Sequence, residues 1–165
     1  MGMVGCFVPV TDATLERLRS GEESIEEFLY PDDGESEPEG YVDLDKAWHG
    51  IHYLLTGEAD GGTPPLALAV FGGEEFGPEI GYGPARFLTA TQAAEVAEAL
   101  EATSVDALTA RFDAQDMEQK QIYPDVIWMR DGTEALDYLL DNYQQLVTFY
   151  RAAAARGDAV IQWLG

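Results

Sequence analysis

The sequence predicts a mixed α+β domain of the α/β class, with a small mixed sheet that takes in both chain ends and is flanked by helices. Three observations predict it. Residues Met3 to Val10 are apolar and β-leaning with no helical period, and Ala159 to Leu164 have the same character. Between them, residues 136–154 repeat their apolar side chains at the spacing of one helical face. Two apolar ends are accounted for together if they lie in one sheet beneath packed helices. At 165 residues, with 46% apolar and 11% aromatic side chains, the chain has the size and composition of a single domain, 1–165, with a packed core.

Taken in order, the first strand ends at Thr11-Asp12, where a polar side chain can cap a helix carrying Leu15 and Leu18 and stopping near Gly21. Ser24 and Glu27 stand at capping-box spacing before Ile25, Phe28 and Leu29, and Pro31 halts this second helix. "PDDGESEPEG", residues 31–40, holds five acidic residues and no large apolar side chain, so it reads as a solvated loop. Its acidic spacing misses the calcium-loop pattern. "PLALAVF" suits a short buried element. The glycines from 72 to 83 read as a tight turn feeding a strand around Arg86 to Leu88, since Gly-Tyr-Gly-Pro-Ala-Arg lacks the marks of a phosphate loop. Thr89 with Gln92, and then Ser104, open two more helices, through Leu100 and through Leu108 to Phe112. "IYPDVIWM" reads as extended, because Pro124 excludes a continuous helix. The longest helix follows, with Leu136, Leu139, Leu140, Tyr143, Val147, Tyr150 and Ala154 on one face, acidic residues at its start, arginines at its end and Gly157 as its stop.

Charge narrows the partners. Nine basic residues stand against 31 acidic ones, for a formal charge of −22 at pH 7. Such a field repels phosphate backbones and anionic headgroups, so neither nucleic acid nor a membrane surface is an expected partner. It serves solubility, belongs to an acidic or salt-adapted proteome, or steers the chain toward a basic protein. Cys6 is the only cysteine, which rules out an intramolecular disulfide or a cysteine-built zinc site and fits a reducing cytoplasm. As a nucleophile it would need a nearby histidine. The first basic residue is Arg17, so the N-terminus lacks the basic region of a signal peptide, and no apolar run approaches the ~20 residues that span a bilayer. No motif implies a cofactor.

"DLDKAWHGIHYLLTG", residues 43–57, holds both histidines. On a wheel of ~100° per residue, Leu44, Ala47, Trp48, Ile51, Leu54 and Leu55 form the core stripe, with Lys46, Gly50 and Tyr53 opposite. Asp45, His49 and His52 share one border. Two imidazoles and a carboxylate on one strip could hold a divalent metal or a general base. Equally, His52 bonds a backbone carbonyl and Asp45 pairs with His49. A polar site here would comprise Asp45, Lys46, Trp48, His49 and His52, joined by Tyr82 and by Arg86, a cation beside a glycine-rich turn.

These stretches resemble a family. "MGMVG" at the start, "LDKAWHGIHYLLTG" at 44–57, "PLALAVFGG" at 65–73, "IYP" at 122–124 and "LVTFYRAAAARGDAVI" near the end are similar to the YfbM-like bacterial domains of unknown function. The resemblance runs along essentially the whole chain. It implies a single compact domain of helices and sheet, and it carries over no reaction and no catalytic residue.

Two functional expectations follow. One is a protein-interaction module, of the immunity or antitoxin kind, that captures a basic partner through its negative field. The other is a small enzyme or ligand-binding domain with a pocket rimmed by the seven residues named above.

Overall fold

The first and last strands lie side by side. In a computed structural model, which describes residues 2–165, β1 (Gly5–Val10) runs antiparallel to β5 (Ala159–Leu164), from Gly5 opposite Leu164 to Val10 opposite Ala159. The short β2 (Val42–Asp43) pairs with β1, and β3 (Glu74–Gly81) and β4 (Gly83–Leu88) form a hairpin whose second strand pairs with β5. The spatial order is β2-β1-β5-β4-β3. Every pairing is antiparallel, so the sheet has the single direction sense of hairpins rather than the mixed pairing expected.

Alternation along the strands gives each face of the sheet its own core. On one face α1 (Asp12–Ser20) and α2 (Ile25–Leu29) cover Cys6, Val8, Val10, Ala85, Phe87, Ile161 and Trp163. Over the other, where Phe7, Leu88 and Val160 project, pack α3 (Trp48–Thr56), α4 (Leu68–Phe71), α5 (Ala90–Ala102), α6 (Val105–Arg111), α7 (Ala114–Gln119), α8 (Ile127–Asp131) and the 24-residue α9 (Thr133–Arg156). The result is a mixed α+β domain in three layers.

The caps form as the sequence spaces them. Thr11, Ser24 and Ser104 accept from backbone N–H groups one turn on, and Thr89 with Gln92 closes a reciprocal capping box. Gly157 ends α9 in the left-handed region.

Two segments differ from expectation. Pro124 keeps residues before it out of a helix, yet the chain after it turns into α8, which buries Trp128 completely and lets its indole N–H donate to the Ile122 carbonyl at 2.8 Å. The glycine-rich stretch is a full edge strand, β3, rather than a turn alone. Its exposed glutamates, Pro78 and register shifts erase the apolar alternation that marks a strand, and they also protect a free edge from pairing with another chain. Among the described residues no helix is long and apolar enough to cross a membrane.

Candidate functional site

Leu44 closes onto the sheet, and a 3₁₀ turn (Asp45–Ala47) precedes α3. Asp45 has a φ of 49°, so the chain reaches Trp48 out of phase with a continuous helix. The Asp45 carboxylate therefore leaves the histidines and accepts from the Tyr138 hydroxyl of α9 at 2.7 Å. The backbone N–H of Lys46 donates to the Tyr138 hydroxyl oxygen at 3.0 Å. The expected pairing of Asp45 with His49 is absent because the turn breaks the wheel on which it was drawn.

α3 is buried on nearly every side. Gly50 and Tyr53, placed by the wheel on an outer face, are enclosed: Trp128 of α8 and Leu139 of α9 press on Gly50, and the Tyr53 hydroxyl donates to Asp116 of α7 at 2.7 Å. Trp48 lies against the sheet at Gly5, where a Cβ would come within 2.6 Å of Trp48 Cβ, and its indole N–H donates to the Met3 carbonyl at 2.8 Å. Tyr123 and His49 both stack on Trp48, with centroids at 5.5 and 5.0 Å.

Backbone groups hold both imidazoles. The Tyr123 N–H donates to His49 Nδ1 at 2.8 Å, which fixes the proton on Nε2, and Nε2 donates to the Ala59 carbonyl at 2.8 Å. His52 is fully buried; its Nε2 bonds the Gly61 carbonyl at 2.9 Å, and its Nδ1 has no partner. Burial pushes both pKa values down, that of His52 to about 4, so both rings are neutral at pH 7. Phe71 sets its ring edge-to-face against Trp48, His49 and His52 at 5.1, 5.5 and 4.8 Å. This is an aromatic and imidazole cluster with both histidine Nε2 atoms turned to the 59–61 loop. Among the described residues no three His, Cys, Asp or Glu side chains converge as a metal site.

Tyr82 and Arg86 meet elsewhere, on the far side of Phe71. They line a cleft of about 160 Å³ together with Gly5, Phe71, Glu75 and Gln162. Arg86 donates to Glu75 at 2.8 Å, while the Tyr82 ring is half exposed. Gln162 was not singled out by sequence. It is 2% exposed, takes the Gly72 N–H at 3.1 Å on its carbonyl, and donates to the carbonyls of Leu68 and Ala69 at 3.0 Å each and to the Tyr150 hydroxyl at 2.6 Å. A lone amide within the apolar "AVIQWL" was its signal. Neither histidine is among the contacts of Cys6; its thiol lies 3.4 Å from the Tyr41 hydroxyl, and burial raises its pKa.

Residues 1–163 match the family described as "Domain of unknown function (DUF1877)". The chain belongs to the DUF1877 family. Among solved structures it is similar to the protein of unknown function YfbM from Escherichia coli, at 21% identity and a TM-score of 0.78, over 99% of this chain and 100% of that one. That likeness establishes the fold. No curated protein matches. What this chain offers for chemistry here is therefore its own geometry: an aromatic-imidazole cluster closed by backbone bonds, and a cleft beside it lined by Tyr82 and Arg86.

Proposed function

We propose that this DUF1877 domain is a protein-interaction module that captures a basic partner through its surface field. The observation that carries it is the distribution of charge. Six of the nine basic side chains, Arg17, Arg86, Lys120, Arg130, Arg151 and Arg156, are engaged in ion pairs. Among the described residues most of the carboxylates consequently face solvent without a cation, along α2, the 31–40 loop, β3, α5 and α9. A field of one sign accelerates encounter with an opposite surface and weakens steeply with salt. Reactive side chains lend no comparable support, because backbone groups hold His49 and His52 and Asp45 is spent on Tyr138.

The test is capture from lysate at low salt with stepwise salt elution and mass spectrometry. A retained protein with a basic face, released as ionic strength rises, is the expected result. Retention of only acidic proteins, or binding indifferent to salt, overturns the reading.

A second reading has one observation in its favour. The cleft at Tyr82, Arg86, Glu75 and Gln162 is concave and polar enough to hold a small ligand group, with Trp48, His49 and His52 packed behind Phe71. A metabolite that native mass spectrometry finds on wild type and not on Arg86→Met would favour this ligand-binding reading.

A further inference from the structure

On the opposite face of the sheet, a cavity of about 230 Å³ opens between the end of α2, the acidic loop and β5. Its walls include three aromatic rings, Tyr30, Tyr41 and Trp163. Trp163 meets Tyr30 at 84° with centroids 6.5 Å apart, and Tyr41 at 42° and 5.8 Å. The polar tips of these rings are already bonded. Trp163 Nε1 donates to the Tyr30 hydroxyl at 2.9 Å, and the Tyr41 hydroxyl and Cys6 thiol share a contact of 3.4 Å. These bonds fix the rings, so an incoming group meets a preorganised wall.

Among the described residues no basic side chain lines this cavity, and Glu37 is part of its wall. The loop above it carries Asp32, Asp33, Glu35 and Glu39, all exposed. Asp33 orders that loop by accepting from the backbone N–H groups of Glu35 and Ser36, at 3.0 and 2.8 Å, and from the Ser36 hydroxyl. An anion is repelled from such a site. A purely apolar group would leave the carboxylates unanswered, whereas a cation gains from the negative faces of the rings and from the acids together. Arginine fits best, because its planar, weakly hydrated guanidinium stacks on aromatic faces and loses less on leaving water than an ammonium does. The same side of the sheet already contains this chemistry: the Arg19 guanidinium lies 4.3 Å from the Phe87 ring centroid.

We propose that the Tyr30–Tyr41–Trp163 cavity takes an arginine side chain presented by the basic partner. The assignment rests on the interaction-module reading and gives it an anchor point. Tyr30, 49% exposed at the entrance, is the ring a partner meets first.

The test is a titration of nitrogen-labelled protein with a capped Gly-Arg-Gly peptide, following the Trp163 indole N–H, beside equivalent peptides carrying citrulline or lysine. The titration is run in about 1 M salt, where a Debye length of ~3 Å screens the general field. The arginine peptide is expected to shift Trp163 saturably and to bind about fivefold or more tightly than the neutral citrulline isostere. Tyr30→Leu, which keeps apolar bulk and removes the ring, is expected to lose that preference; Tyr30→Phe, which keeps the ring but removes the acceptor of the Trp163 indole N–H, is expected to bind all three peptides more weakly and to retain the preference for arginine. Equal binding of citrulline or lysine, unchanged binding by Tyr30→Leu, or no shift at Trp163 overturns the assignment. Capture of a basic partner by wild type and Tyr30→Leu alike removes the cavity and leaves the wider reading standing. Failure to capture any basic protein removes the wider reading whatever the peptide does.

Discussion

His52 is a neutral imidazole sealed in the core, and that state has a pH signature. Its folded pKa lies near 4 because burial penalises the charged ring, whereas an unfolded histidine titrates near 6.5. As pH falls below about 6.5 the unfolded chain takes up a proton that the folded chain refuses, so stability is lost progressively until about pH 4, where both forms are protonated. The linked change is on the order of 3 kcal/mol. Urea unfolding of wild type and His52→Gln between neutral pH and pH 4.5 checks this: wild type is expected to lose stability relative to the variant as the solution is acidified. Parallel pH profiles would mean that His52 is not buried as a neutral ring. At this scale the sequence showed which residues carry chemistry, and it showed the backbone-bonded option for His52. It could not show that Asp45 serves Tyr138, ninety-three positions away, because that contact exists only once α9 lies beside the 3₁₀ turn.

α3 separates local preference from packing at the level of the element. A glycine inside a helix costs about 1 kcal/mol relative to alanine, so Gly50→Ala on an exposed helix would stabilise. Here a Cβ at position 50 would come within 2.6 Å of Leu139 and 2.8 Å of Trp128. Overpacking of this kind typically costs about 1–3 kcal/mol against a propensity gain of about 1 kcal/mol, so Gly50→Ala is expected to lower stability by up to about 2 kcal/mol in denaturant unfolding. A stabilised variant would show that α3 and α9 separate without cost. Elements whose signals are local were legible: the caps at Thr11, Ser24, Thr89 and Ser104 need only residues one turn apart. α8 and β3 were not, since one is set by burial of Trp128 and the other by pairing with β4, neither of which has a local period.

Charge governs the whole molecule. With most acidic side chains uncompensated, the folded state carries self-repulsion that salt relieves. Thermal unfolding is therefore expected to shift upward by about 2–5 °C between low and physiological ionic strength, as calorimetry at the two conditions would show. A melting temperature indifferent to salt would mean that the acids are dispersed too widely to interact. The same surplus underlies the proposed capture of a basic partner, so the stability effect and the binding effect should share a salt dependence of opposite sign. The sequence by itself determined this acidity, the single cysteine, a packed core and sheet strands at both ends, because each depends on residue type or on the run of neighbouring side chains. Tertiary structure alone decided that the sheet is wholly antiparallel, that the histidines face backbone rather than Asp45, and that Tyr30, Tyr41 and Trp163 enclose one cavity. Those outcomes depend on contacts between residues far apart in the chain, and no local pattern encodes which distant surface will close over a given side chain.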